Sequence, residues 1–161
     1  MSSADKNSAA SQVKIVAHSE RKFRFFCAAE KFFPPIAIEC TNKNLTVNAD
    51  RSEIRRVICN LCGNAINYTQ NGGRVIITLK NEGNDLIFSV SDNGSGIPQE
   101  DIPNMFRRFS QGTGKKRSAG TGLGLYLSRQ IIESHNGKIW LESKLNKGSE
   151  FSFLLTDSVD S

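Results

Sequence analysis

The chain lacks several features that would have pointed to other classes of protein. No apolar run among its 161 residues is long enough to cross a bilayer, and its first residues lack the hydrophobic segment of a signal peptide. The net charge of +5 is small, and it is not arranged as the cationic and aromatic stripe typical of nucleic-acid binding. We therefore expect a cytoplasmic domain that contacts neither nucleic acid nor, directly, a membrane, even if a full-length protein is membrane-anchored.

Cysteine and histidine are scarce. There are four cysteines and two histidines, so no second Cys-x-x-Cys and no histidine pair accompanies Cys59 and Cys62 at zinc spacing. Cys62 also falls on the apolar face of a predicted helix with Ile58 and Leu61. Without a signal peptide, the thiols are expected to be free and structural.

The length suits one domain with a real core. We expect this domain to span residues 13–156. Residues 1–12 are small and polar and are interpreted as a disordered linker or cloning remnant, and residues 157–161 as a C-terminal tail.

Apolar periodicity predicts three helices, at Ser19–Lys31, Asp50–Tyr68 and Leu123–Ser134. Asp50 followed by Glu53 is typical of a capping box. Most predicted strands are joined by hairpins, which favours an α+β two-layer sandwich, with three helices on one face of a mixed, largely antiparallel sheet. The strands are Val13–Val16, Ile36–Cys40, Leu45–Asn48 (after a turn at 42–44), Arg74–Lys80, Leu86–Ser91, Lys138–Ser143 and Glu150–Leu155.

Two short polar segments carry groups that could bind a nucleotide. Asn60 and Asn64 are four residues apart and share one helix face, and a carboxamide oxygen is a neutral ligand for Mg²⁺. Asp92 ends an apolar strand before Gly94 and Gly96. A carboxylate there can accept from the adenine amino group, while the glycines let the backbone approach the base.

Two later segments could hold phosphates. Met105–Ser110 carries two phenylalanines three residues apart, and the basic, glycine-containing stretch 111–120 that follows is typical of a mobile lid. Gly120–Leu125 opens a helix, where bare amides and the helix dipole form a phosphate site. A Rossmann interpretation fails because no strand precedes this segment.

Taken in order, the four segments resemble the N, G1, F and G2 boxes of the ATP-binding domain of sensor histidine kinases, over residues 50–155. The resemblance implies the Bergerat fold of the GHKL superfamily, with ATP and Mg²⁺ as cofactors. It also implies transfer of the γ-phosphoryl group to a histidine on a separate dimerisation domain, and from there to a response regulator.

The resemblance also implies roles for individual residues. Asn60, Asn64 and Arg108 are the catalytic candidates, and Asn64 is the metal candidate. The nucleotide-binding candidates are Asn60, Asn64, Tyr68, Asp92, Gly94, Gly96, Ile97, Phe109, Lys115, Lys116, Gly120, Thr121, Gly122, Leu123, Gly124, Leu125 and Ser149.

Two alternatives remain open. An anti-sigma-type serine kinase would suit the length, but kinases of that type carry a glutamate that acts as general base at the position of Asn60. A degenerate nucleotide-sensing or docking module is kept open by Asn67, which replaces a cation common in sensor kinases, and by the missing phosphoacceptor helix. His18 is a poor acceptor candidate, and His135 is expected to interact with a helix dipole.

Overall fold

The computed structural model describes residues 12–16, 23–25, 34, 36–40, 44–110 and 122–156. This part of the chain contains eight strands, two α-helices and one turn of 3-10 helix. The elements are β1 (Gln12–Val16), β2 (Phe23–Phe25), β3 (Ile36–Cys40), β4 (Asn44–Asn48), α1 (Arg51–Tyr68), β5 (Val75–Glu82), β6 (Asp85–Asp92), the 3-10 turn (Ile102–Asn104), α2 (Gly124–Ser134), β7 (Lys138–Lys144) and β8 (Gly148–Thr156).

Six of the strands form the main sheet, in the order β2-β3-β5-β6-β8-β7. Every neighbouring pair is antiparallel except β3 and β5, which are parallel, and the chain between them contains α1. β1 and β4 form a separate antiparallel pair. The β5–β6 ladder extends to Glu82 opposite Asp85, so the connection is a two-residue turn in which Gly83 has a φ of 62°.

Helix α1 starts where its N-cap satisfies the free amides of the first turn. The Asp50 side chain accepts from the amides of Ser52 and Glu53. The apolar face recurs at helical spacing and is buried against the sheet and α2. The fully or almost fully buried residues of this face are Ile54, Val57, Leu61 and Ala65.

The core lies between the two helices and one face of the sheet. Along β6, Phe88 and Val90 point to this face, and the Phe88 ring stacks on Phe153 of β8 with ring centroids 5.0 Å apart. Because side chains alternate along a strand, Asp92 at the end of β6 lies on the same face as Phe88 and Val90. The alternation that builds the core therefore delivers one carboxylate to the helix side of the sheet.

The predicted α+β sandwich is confirmed, but the prediction of three helices was wrong. Phe23–Phe25, inside the first predicted helix, is a strand paired with β3, and residues 26–31 lie outside the described residues. The apolar positions there fit helical and strand periods equally, and the exposed edge of β3 decides between them. The two strands predicted on either side of residues 42–44 are present as β3 and β4, but they belong to different sheets and do not pair with each other. In the described segments, neither helix is long and apolar enough to cross a membrane.

Candidate functional site

Asp92 has one buried oxygen without a hydrogen-bond partner. The residue is 8% exposed, and its Oδ1 accepts from the Gly94 amide at 2.8 Å. Its Oδ2 is buried and accepts no hydrogen bond from the described residues. Burial raises the pKa of this carboxyl, although the backbone amides of Gly94 and Ser149 oppose the rise. An unsatisfied buried acceptor is costly, which makes it a candidate ligand contact.

The loop after Asp92 is packed too closely for side chains. A Cβ on Gly94 would collide with the Tyr68 carbonyl at the end of α1, whose oxygen also accepts from the Ser95 amide at 3.4 Å. Gly96 has a φ of 66°, and a Cβ there would collide with the Lys144 carbonyl. The two glycines therefore seat this loop between α1 and the β7–β8 turn.

Two serines brace the same loop from the sheet. The Ser143 hydroxyl accepts from the Ile97 amide at 2.8 Å and donates to the Gly148 carbonyl at 2.9 Å. The Ser149 hydroxyl lies 2.9 Å from that of Ser143, and Ser149 pairs with Asp92 in the β6–β8 register. Sequence reasoning missed Ser143, because its role depends on the pairing of β7 with β8.

The asparagines of α1 differ in their surroundings. Asn60 donates through Nδ2 to the Ser128 hydroxyl of α2 at 3.0 Å. Asn64 is half-buried, and its side chain makes no hydrogen bond to the described residues. Tyr68, at the end of α1, lies beside the Asp92 loop. The helix rise separates Asn60 from Tyr68 by about 12 Å, so this face extends from the Asp92 loop to α2.

Among the described residues, no side chain caps the amides at the start of α2. Leu123 precedes the helix and makes no capping hydrogen bond, while Leu125 anchors the first turn in the core. Gly122 has a φ of 68°, and a Cβ there would lie 2.8 Å from the Ser110 carbonyl oxygen. A Cβ on Gly124 would collide with Asn60 Oδ1. Backbone conformation and close backbone atoms therefore favour glycine at position 122, whereas a side chain at position 124 would displace the Asn60 carboxamide.

The segment Met105–Ser110, which carries two phenylalanines, has a buried and an exposed part. Met105 is buried and Phe106 is packed against the core, whereas Phe109 is 66% exposed with a φ of 59°. The Arg108 guanidinium lies 5.5 Å from the Phe109 ring centroid and 5.6 Å from that of Tyr126. The structure thus places Arg108 beside the first turn of α2.

The predicted phosphate-binding residues Lys115, Lys116, Gly120 and Thr121 lie outside the described residues, as does His18.

His135, at the end of α2, connects the two helices through hydrogen bonds. Its Nδ1 lies 2.7 Å from the Ile131 carbonyl, and its Nε2 accepts from the Asp50 amide at 3.0 Å.

Neither cysteine of the Cys-x-x-Cys pair forms a disulfide. Burial raises the pKa of Cys62 to about 11, so its thiol stays protonated at neutral pH and is a poor nucleophile or metal ligand. Within the described ranges, no group of three or more His, Cys, Asp or Glu side chains could hold a metal ion. A metal site there would need amide oxygens and ligand phosphates.

A cavity of about 410 Å³ opens between the two helices next to Asn60. The residues of both helices that line it are Arg56, Asn60, Leu123, Gly124, Leu127, Ser128 and Ile131. The site therefore runs from the buried acceptor oxygen of Asp92, along α1, to the start of α2 beside this cavity. These groups fit an adenine nucleotide, because an amino donor would satisfy Asp92 Oδ2 and phosphates would satisfy the amides.

Comparisons with known proteins agree with this geometry. The family model for histidine kinase-, DNA gyrase B- and HSP90-like ATPases matches residues 49–158. The catalytic domain of histidine kinase ThkA superposes with a TM-score of 0.66 at 37% identity, covering 74% of this chain and 78% of that chain. Full-length ShkA, solved in complex with AMPPNP, gives a TM-score of 0.66 at 28% identity, covering 74% of this chain and 25% of its own.

The adaptive-response sensory kinase SasA from Synechococcus sp. (strain JA-3-3Ab) is 40% identical over 111 residues, which are 68% of this chain and 29% of SasA. The chain belongs to the family of histidine kinase-, DNA gyrase B- and HSP90-like ATPases. Within that family it is a histidine kinase-type catalytic domain, as the resemblance in sequence predicted. It spans less than a third of the length of SasA.

Proposed function

We propose that this domain binds Mg-ATP and serves as the catalytic part of a two-component sensor histidine kinase. The observation that carries the proposal is Asp92 Oδ2, a buried carboxylate oxygen that accepts no hydrogen bond from the described residues. It lies on the helix side of the sheet near the C-terminal end of α1, whereas the start of α2 contacts Asn60 in the middle of that helix.

The Asp92 end suits adenine and disfavours guanine. The free oxygen can accept from the exocyclic amino group of adenine, whereas guanine presents a carbonyl oxygen at that ring position and would leave both acceptors unpaired. Gly94 and Gly96 keep side chains out of the approach, and Ile97 is fixed through its amide by Ser143. Selectivity for the base therefore follows from one rigid acceptor.

The α2 end suits the phosphate chain. Its first-turn amides carry the partial positive charge of a helix N-terminus, and no side chain in the part of the chain that the structure describes caps them. We assign phosphate contacts to Gly122, Leu123 and Gly124, with Arg108 of the adjoining segment as a cation that can reach them. Lys115, Lys116, Gly120 and Thr121 retain the same proposed role on sequence grounds.

We assign the Mg²⁺ contact to Asn64. Its side chain is half-buried and makes no hydrogen bond within the described ranges, on the helix face between the two ends of the site. One protein ligand is enough for Mg²⁺ in a nucleotide site, because this ion keeps several waters and takes phosphate oxygens as its other ligands.

Bound ATP supplies the phosphoryl group, and this chain contributes position and charge compensation. Asn60 stands where a catalytic glutamate would otherwise activate a hydroxyl or water, and a carboxamide cannot act as a base. A neutral imidazole needs no such base, since it offers a lone pair near neutral pH. The proposed acceptor is therefore a histidine on a separate dimerisation domain, with a response regulator as the final acceptor.

Calorimetric titration with ADP and a non-hydrolysable ATP analogue, with and without Mg²⁺, tests the binding step. We expect saturable binding that strengthens with Mg²⁺ and is absent with GTP. No binding at millimolar nucleotide would contradict the proposal and favour the degenerate module.

Transfer is tested by incubating the domain with radiolabelled ATP and the dimerisation domain of its parent protein. We expect acid-labile, alkali-stable labelling, as for phosphohistidine. Acid-stable labelling of a serine would instead support the serine-kinase alternative.

A further inference from the structure

Ser128 of α2 forms a hydrogen bond with Asn60 of α1, although Ser128 itself is not among the residues assigned to nucleotide binding. Its hydroxyl accepts from Asn60 Nδ2 at 3.0 Å, and this hydrogen bond joins α2 to α1 across 68 positions of the chain. Ser128 is 2% exposed and Asn60 is half-buried, so this bond is partly shielded from water. The other buried residues of α2 are apolar, so a buried serine among them is expected to have a specific hydrogen-bond partner.

The bond fixes which end of the Asn60 carboxamide faces which neighbour. The amide has a donor end, Nδ2, and an acceptor end, Oδ1. Ser128 takes the donor end, and Oδ1 lies against the α-carbon of Gly124, where any side chain would collide with it. The acceptor oxygen is therefore held at the first residue of α2, beside the uncapped amides.

We propose that Ser128 is a positioning residue that keeps Asn60 in this orientation, so that Asn60 accepts a hydrogen bond at the phosphate end of the site. This inference rests on the proposed function. In this orientation Oδ1 repels phosphate oxygens but can accept from a water bound to Mg²⁺, one helical turn from Asn64. Asn60 and Asn64 then present two oxygen acceptors on one face.

Without Ser128, the carboxamide can turn over and present its NH₂ group instead. The net value of one hydrogen bond predicts that Ser128 favours the observed orientation by about threefold to tenfold. The loss should appear in the part of nucleotide affinity that depends on Mg²⁺, because the turned NH₂ group cannot accept from a metal-bound water but can donate to phosphate oxygens in the absence of the metal.

The test compares Ser128→Ala with Ser152→Ala. Ser152 is a matched control, since it is 1% exposed and its hydroxyl pairs with that of Ser89 at 2.8 Å, on the opposite face of the sheet from Asp92. We expect Ser128→Ala to weaken ADP binding threefold to tenfold with Mg²⁺ and less than twofold without it. Ser152→Ala should change neither affinity by more than twofold.

A double-mutant cycle with Asn60→Ala separates positioning from a general structural effect. If Ser128 acts through Asn60, adding Ser128→Ala to Asn60→Ala should cause no further loss. Additive losses, an unchanged Mg²⁺ dependence in Ser128→Ala, or an equal effect of Ser152→Ala would each overturn the proposal.

A second measurement needs no nucleotide and so distinguishes failure of this proposal from failure of the proposed function. In NMR spectra of the free domain, the Asn60 side-chain NH₂ should exchange with solvent at least tenfold more slowly than that of the exposed Asn67, and Ser128→Ala should abolish the difference. Equal exchange of Asn60 and Asn67 in the unsubstituted protein would refute the orientation itself.

Discussion

Replacing Asp92 with asparagine alters one atom of the proposed adenine pocket and little else. Asparagine has almost the same shape, and its Oδ1 can still accept from the Gly94 amide, as Asp92 Oδ1 does at 2.8 Å. The change falls on the second oxygen, which is buried, accepts no hydrogen bond from any described residue and becomes an NH₂ group. An acceptor that suits the adenine amino group is thus replaced by a donor.

The size of the effect follows from the kind of bond that is lost. A hydrogen bond to a charged group contributes about 1.5–3 kcal/mol, so Asp92→Asn should weaken ADP binding by roughly 10- to 150-fold. Stability should move the other way. Burial raises the Asp92 pKa, which means that the folded protein disfavours the carboxylate, and neutral asparagine removes this cost. The free energy of unfolding should therefore stay equal or rise.

Calorimetry with ADP and urea denaturation of the nucleotide-free domain would measure the two effects. Because the pKa of Asp92 is higher in the folded than in the unfolded protein, folding is coupled to proton uptake. As the pH falls through the folded-state pKa, the free energy of unfolding of the unsubstituted protein should therefore rise relative to that of Asp92→Asn. The advantage of Asp92→Asn should hence be largest near neutral pH. Unchanged ADP affinity would remove Asp92 from the site, and a destabilised variant at neutral pH would refute the burial argument.

Four further substitutions test other parts of the structure. Gly124→Ala should weaken Mg-ADP binding more than tenfold by calorimetry, because its methyl group would collide with Asn60 Oδ1; Mg-ADP affinity equal to that of the unsubstituted protein would contradict this packing. Gly63→Ala is its matched control on α1: no described residue lies within 4 Å of the added methyl group, so the free energy of unfolding should rise by about 0.5–1 kcal/mol in urea melts while nucleotide affinity is unchanged. Asn64→Ala should reduce ADP affinity more with Mg²⁺ than without it, and equal losses would refute its metal role. Leu61→Ala, at a position that is 0% exposed, should lower the free energy of unfolding by about 2–5 kcal/mol in urea melts, and a loss below about 1 kcal/mol would show that the core packs differently.

Local chemistry made some elements predictable. The Asp50 cap and the apolar spacing of α1 located that helix to within a residue, since both depend on contacts a few positions apart. The strands on either side of Gly83 were likewise predicted from alternation and a turn residue. Where the decisive contact is distant, prediction was wrong: Phe23–Phe25 is a strand because β3 offers it an edge, not because of its own residues.

The sequence by itself determined the chemistry of the candidate site, because Asp92, the asparagines of α1 and the glycines before α2 are defined by residue type and local spacing. Only the tertiary structure decided how these groups are held. Pairing of β6 with β8 sets Ser149 opposite Asp92, and packing of α1 on α2 brings Ser128 to Asn60. These contacts join residues more than fifty positions apart, and the local sequence of one segment does not specify which other segment it will contact. The segments are brought together because they bury apolar side chains in a shared core.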